Sequence, residues 1–574
     1  MPFSIPVLFS VVAVCPPLQR KADLELTSGR PVPKEEACYD VQHYDLAVRV
    51  DPEKKSIVGR VEMRARWVAA SDDVVLDLDD RLEVRSVGFH APGAKDGEYA
   101  PASFRHQKGE IRIARVGHDL AVDQEFGLRV EYDGKPREAP NPPWDGGFVW
   151  TTTPSGAPWI ATANQMQGAD LWWPVKDQPD DEPGSMTIQV TVPRPLVVAS
   201  NGRLEEVLED HDCTAEKPDA AASRGWRTYR WRVTTPINAY GVALNIAPYE
   251  TITREYESVA GDTFPITYWV LPENVAKGKV LFEDIVNQMK GLENLYGPYP
   301  FRGDKYGVAE TPHLGMEHQS IIAYGNQYHG NPWGEDYGID MLHLHEFAHE
   351  WWANLVTCAN WNDFWIHEGF ASYTQALYVE RAKEPDAYFR EMAAMRGHIA
   401  NRAPVAPREK RSTAEMYFGD RDGSPGGDIY YKGAWILHSL RWLLGDEPFF
   451  RALRRMAYPD PALEKRTDGS ACRFATTDEL RGIVEHETGC DVGWFFELYL
   501  RQPALPELDS SVKGDRVELR WKTPKDLPFP MPVEVRVDGQ PQRVECPDGH
   551  GTLTIARGAK VEVDPRERAL RTKD

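Results

Sequence analysis

From Tyr44 onward the apolar positions fall at every second residue. Tyr44, Leu46, Val48 and Val50 alternate with polar or small residues, and Val61, Met63, Ala65 and Trp67 repeat the pattern. A period of two is that of a strand with one face buried. Shorter runs at 74–78, 111–116, 128–132, 186–192 and 226–233 continue it, with turn residues between them. This predicts a large antiparallel β domain over residues 37–247. After Pro248 the period lengthens. Leu281, Ile285, Met289, Leu292 and Tyr296 mark an amphipathic helix that Gly297-Pro298 stops. A strand at 306–309 follows, and further helices are predicted at 434–444, with Gly445 as the stop, at 447–457 and within 477–500. This mixed α/β region spans 248–505. Period two returns at 517–521, 533–537, 553–555 and 561–563, enough for a small β-sandwich over 506–574. The predicted fold class is therefore multidomain α+β.

Composition narrows the function. The 574 residues carry a formal charge of −22, which argues against a nucleic-acid or anionic-membrane partner. Seven scattered cysteines contain no C-x-x-C pair, so neither a zinc ribbon nor a disulfide framework is written here. Residues 1–36 read as an apolar segment and a linker. The run at 3–15 is too short to span a bilayer and resembles the h-region of a signal peptide, although no basic residue precedes it. It tilts the expected compartment toward export. No other segment is apolar enough for a membrane span, and the sequence carries no signal for oligomeric state.

The chemistry is concentrated in His345-Glu346-Phe347-Ala348-His349, which reads H-E-x-x-H, with Glu368 eighteen residues beyond it. On a helix two histidines four apart share a face. They can hold one Zn2+ at roughly 2.0–2.1 Å each. Glu346, one residue past the first ligand, lies beside the ion, where a base is needed. Glu368 on a second helix is the candidate third ligand, which leaves the fourth position to water and marks a catalytic site. Trp351, Trp352, Leu355, Trp361, Phe364 and Trp365 supply the apolar surroundings of a dry pocket. His313, His318, His343 and His367 are read as packing or supporting groups.

Together with three further motifs, this run resembles the zinc aminopeptidases of the aminopeptidase N type, a gluzincin branch. HEFAHEWWANLV…WNDFWIHEGFASY is similar to the family's zinc signature, including the spacer. Leu314-Gly315-Met316-Glu317-His318 is similar to its G-x-M-E-N exopeptidase motif, Tyr430-Tyr431-Lys432-Gly433 to its Y-x-K-G segment, and Gln165-Met166-Gln167 to its amino-domain Q-x-[E/Q] element. The resemblance implies an N-terminal antiparallel β-sandwich, a thermolysin-like catalytic domain, one Zn2+ and peptide substrates with a free N-terminus. It assigns catalysis to Glu346 and to Tyr430 as oxyanion donor. It assigns substrate binding to Gln165, Gln167, Gly315, Met316 and Glu317, with Gln167 the neutral partner of Glu317 in gripping the ammonium. Leu314, His318, His367 and Glu350 depart from the family pattern, none of them at a ligand. The family's large C-terminal helical domain has no counterpart in the sequence, which implies a more open cleft. Three other readings use the same residues: a zinc endopeptidase needing no amine anchor, an epoxide hydrolase, and an inactive scaffold, which should have lost a ligand or the base.

Overall fold

The computed structural model describes residues 27–114, 116, 120–215, 221–418 and 423–572. The apolar run at 3–15 lies outside the described residues. Among them no helix is long and apolar enough to cross a membrane.

The amino-terminal half is built on an eight-stranded sheet. Its two longest strands, Tyr39–Asp51 and Ser56–Trp67, form its centre as an antiparallel pair. In Ser56–Trp67 the alternation is nearly complete: Ile57, Val61, Met63, Ala65 and Trp67 are buried, while Val58, Arg64 and Arg66 are exposed. A four-stranded and a three-stranded sheet complete this half, and Trp67, Trp172, Trp173 and Trp231 fill its core. Among the described strands of this half, one pairing departs from the expected antiparallel arrangement. Tyr39–Asp51 runs parallel to Ser185–Pro193, with Leu46 opposite Ile188. Parallel neighbours need a long connection, and the strands in between supply it. Side-chain alternation is the same in both pairings, so the pattern alone does not separate them.

The mixed region begins with a hairpin, Glu250–Glu257 and Thr263–Val270, that the change of period did not reveal. With Tyr306–Glu310, Ile322–Tyr324 and Gly315–Met316 it forms a five-stranded sheet, the last strand lying at the edge. The helix Val275–Tyr296 connects the parallel strands Thr263–Val270 and Tyr306–Glu310. Its buried positions include Leu281, Ile285, Met289, Leu292 and Tyr296. The helices Met341–Ala348, Trp365–Ala382 and Tyr431–Leu444 then carry the chemistry. The predicted helix within 477–500 is two helices, Thr477–Thr488 and Gly493–Arg501, with Gly489 in the left-handed conformation that ends the first. At the carboxy end two three-stranded sheets share a core that includes Val517, Trp521 and Val535. That core is continuous with the mixed region.

Candidate active site

All eight residues of Met341–Ala348 are buried. Asp340 caps the helix, accepting from His343 N at 3.0 Å, and also accepts from the Tyr324 hydroxyl at 2.6 Å. One turn apart, His345 and His349 bring their Nε2 atoms to 3.3 Å from each other. Glu368 Oε2, from the next helix, is 3.4 Å from each of them. Two imidazole nitrogens and a carboxylate oxygen thus form a nearly equilateral triangle. Ligands of a tetrahedral ion bound at about 2.0–2.1 Å lie about 3.3–3.4 Å apart, so the donor set fits a small divalent cation. The electrostatics agree. Burial opposes protonation of His349, yet Glu368 and Glu317 lift it to about 10. Burial likewise opposes ionisation of Glu368, yet His349 and His345 hold it well below the usual carboxylate range. The triangle demands positive charge.

Each imidazole is oriented from behind. After Ala348 the helix loosens into a π-type turn, Glu350–Leu355, whose backbone breaks helical geometry at Trp352. This turns the Trp352 carbonyl back to 2.9 Å from His349 Nδ1. The Gln375 side chain hydrogen-bonds His345. Bonds of this kind fix the tautomer that frees Nε2 to ligate. Gln375 lies seven residues past Glu368, on the same face of Trp365–Ala382, so helical spacing was a usable signal for it. A backbone carbonyl such as that of Trp352 has no such signal. His367 accepts from Cys358 N at 2.8 Å through Nε2, tying the start of the Glu368 helix to the strand Val356–Cys358. His343 bonds Tyr306 and Gln288. His313 and His318 are buried with unpartnered ring nitrogens and join neither cluster of possible ligands.

Glu346 faces the same cavity as Glu317 and His349, and ligand atoms of the three lie within 4.8 Å of one another. It sits beneath the edge strand. A Cβ at Gly315 would lie 2.4 Å from Glu346 Oε1, so this strand passes close only as glycine. Burial and the charge of Glu317 push the Glu346 carboxyl well up, and burial brings Glu317 to about 7.

Glu317 follows Met316 off the edge strand. Its Oε1 accepts from Gln165 Nε2 and, at 3.1 Å, from the Tyr240 hydroxyl. Tyr240 comes from the short turn Ala239–Gly241 within the β-rich half, and nothing in its sequence context singled it out. Asn354 holds the Glu317 carbonyl at 3.0 Å. The expected pairing of Gln167 with Glu317 is corrected. Gln167 Oε1 accepts from Gly146 N at 2.7 Å, and its side chain is not in the cavity wall. Residues 164–168 form a helical turn, closed by Gly168 N to Asn164 O at 2.8 Å. In such a turn residues two apart point in nearly opposite directions, so only Gln165 faces Glu317.

Tyr430 and Tyr431 both line the cavity. Tyr430 stacks on His345, centroids 6.0 Å apart at 20°, whereas Tyr431 packs on His398. Burial, then Glu368, keeps the Tyr430 phenol protonated far above neutral pH. Its placement rests on two glycines. A Cβ at Gly369 would lie 2.9 Å from Gly433 Cα, so the Glu368 and Tyr430 helices touch backbone to backbone. The cavity that all these groups line is about 500 Å³, within the range of small-ligand sites.

Residues 40–240 match the Peptidase M1 N-terminal domain, and residues 295–460 match the Peptidase family M1 domain, together more than half of the chain. The chain belongs to the M1 peptidase family. It is 25% identical over 496 residues to aminopeptidase N of Haemonchus contortus, covering 78% of this chain and 46% of the relative. It is 22% identical over 521 residues to human endoplasmic reticulum aminopeptidase 1, covering 83% of this chain and 51% of that protein. The chain thus spans about half the length of these curated relatives. Among solved structures, an M1 zinc metallopeptidase of Deinococcus radiodurans with a bound Tyr-Ser-Ala substrate aligns with a TM-score of 0.63 at 21% identity. The alignment covers 83% of this chain and 96% of that one, a likeness of fold. As in the family reading, a β-rich amino-terminal half precedes a mixed half that carries the H-E-x-x-H helix.

Proposed function

We propose that this M1 chain is a monozinc aminopeptidase that removes the first residue from peptides. On this reading residues 37–247 form the β domain, 248–505 the catalytic domain and 506–574 the small sandwich. The observation that carries it is the donor triangle of His345, His349 and Glu368 with two further carboxylates in the same cavity. With an ion held by neutral imidazoles and all three carboxylates ionised, Glu317, Glu346 and Glu368 would bring three negative charges to the cavity. One divalent ion and one substrate ammonium balance them.

His345, His349 and Glu368 would hold the zinc ion, which would supply Lewis acidity toward the scissile carbonyl and the attacking water. Glu346 takes the proton of the attacking water and passes it to the leaving amine. As the carbonyl becomes tetrahedral, the Tyr430 phenol donates to the developing oxyanion. Glu317, steadied by Gln165 and Tyr240, receives the free ammonium and sets the count from the amino terminus. Gly315 and Met316 let the backbone of an extended peptide lie along the sheet edge.

A panel of aminoacyl 4-nitroanilides and their N-acetyl counterparts, assayed with and without a chelator, tests this. Free-amine compounds are expected to turn over, to lose turnover on chelation and to regain it with zinc. N-acetyl compounds are expected to react at least tenfold more slowly. Cleavage inside amino-blocked peptides at comparable rates would favour an endopeptidase instead.

A further inference from the structure

Among the described residues of its wall, the cavity has three glutamates and one Lys or Arg, Arg402. Arg402 is exposed and precedes the buried Ala403. The loop that presents it is held firmly. Buried Asp428 accepts from Ala400 N and from Asn401 N, both at 2.7 Å. Asn401 takes a φ of 54°, bending the chain back so that both amides meet one carboxylate. Asp428 belongs to the short turn Gly426–Ile429 that leads directly into Tyr430. The base of Arg402 is therefore tied to the segment that carries the proposed oxyanion donor.

The arrangement also has a direction. Glu317 follows the edge strand Gly315–Met316 into the cavity wall and is bonded there by Gln165. Ser372 and Gln375, four and seven residues past Glu368, continue the cavity wall along one face of the Glu368 helix. Tyr431 follows Tyr430 and packs on His398, centroids 4.8 Å apart, and Ala400 and Arg402 lie next along that loop. An ammonium held by Glu317 would place the rest of a peptide toward this second wall. Guanidinium is the side chain best shaped for a carboxylate there, since it can donate two parallel hydrogen bonds.

We propose that Arg402 receives a substrate carboxylate on the leaving side of the scissile bond, so that the site favours short peptides whose two ends carry opposite charges. The proposal rests on the aminopeptidase reading. The carboxylate comes from the peptide's C-terminus or from an acidic side chain near it, and the two sources are separable.

The test uses the zinc-loaded full chain, wild type and Arg402→Gln, with leucyl 4-nitroanilide, Ala-Ala-Ala as free acid and as amide, and the amides of Ala-Glu-Ala and Ala-Gln-Ala. In the wild type kcat/KM is expected to favour the free acid over the amide about fivefold, the size of a solvent-facing ion pair. In Arg402→Gln the ratio should fall to about one, and Arg402→Lys should retain part of it. A matching preference for the Glu over the Gln amide, lost in Arg402→Gln, assigns the carboxylate to a side chain. Its absence beside an Arg402-dependent acid-to-amide ratio assigns it to the C-terminus. Ratios that are the same in wild type and Arg402→Gln for both pairs overturn the proposal. A wild type that hydrolyses neither the nitroanilide nor any peptide sinks the aminopeptidase reading itself.

Discussion

Glu317, Glu346 and Glu368 are each less than a tenth exposed, and so are Glu36, Asp77, Asp170 and Asp177 in the β-rich half. Burial imposes a desolvation cost on both groups, but they meet it differently. In the second group the counter-charge is built in. The Arg30 guanidinium lies 3.8 Å from Asp77 and 3.9 Å from Asp170. Asp177 accepts from Ala169 N, and Asp77 accepts from Asp177 N, each at 3.1 Å. These acceptors are spread out, and among the described residues no three of them converge as possible ligands. Around Glu368 the partners are imidazoles whose nitrogens point at one shared spot. Acceptors that converge without a resident cation mark a place for an external one. Acceptors spread around an arginine make a brace. This brace supports the site, because Asp170 and Asp177 crowd against Gly168 at the end of the turn that presents Gln165.

The sharpest way to break the comparison is to remove the cation from one side of it. Chelation should abolish hydrolysis and lower the melting midpoint, and zinc should restore both. An unchanged melting curve with full activity would remove the metal from the argument. Glu346→Gln should keep the zinc content while lowering kcat by about 10²–10⁴-fold. Metal analysis beside kinetics checks it, and a zinc-loaded variant with normal kcat would refute the role of Glu346 as base. Tyr430→Phe should lower kcat by about 10²–10³-fold with little change in KM, and Tyr431→Phe far less. Equal effects at the two positions would undo the assignment. Glu317→Ala should lower kcat/KM for free-amine substrates by about 30-fold, or ~2 kcal/mol, and should affect N-acetyl substrates much less.

The smallest expected effect lies in the brace. Burial, then Asp177 and Asp77, raises the Asp170 carboxyl well above its ordinary value. Burial, then the neighbouring carboxylates, brings Glu36 to about 9 and Asp77 to about 7. A carboxyl whose folded pKa is raised holds a proton that the unfolded chain releases near pH 4. Its contribution to stability is therefore lost as pH rises above that value. Asp170→Asn removes the penalty, so its melting midpoint should exceed that of the wild type by more at pH 8 than at pH 5, with zinc content unchanged. A gain larger at pH 5 would contradict this sign.

Much of the site was legible because it rests on short-range periodicity. A helix repeat of 3.6 places His345 and His349 on one face wherever the helix packs, and it places Gln375 on the face of Glu368. The long β domain was legible for the same reason, through Val61, Met63, Ala65 and Trp67. The parallel pairing of Tyr39–Asp51 with Ser185–Pro193 was not, because alternation is the same in either direction. Gln167 misled because Q-x-Q reads as two like side chains, whereas the helical turn at 164–168 sends them to opposite sides.

By itself the sequence determined which residues could ligate an ion and their spacing within each helix, since local backbone geometry sets both. Only the tertiary structure decided that Glu368 Oε2 comes to 3.4 Å from both imidazoles, and that Gln165 rather than Gln167 faces Glu317. It alone turned the Trp352 carbonyl onto His349 and brought Arg402 into the same cavity. These contacts join segments far apart in the chain. Their distances are set by how helices and turns pack, as at Gly369 against Gly433, and no local pattern encodes that.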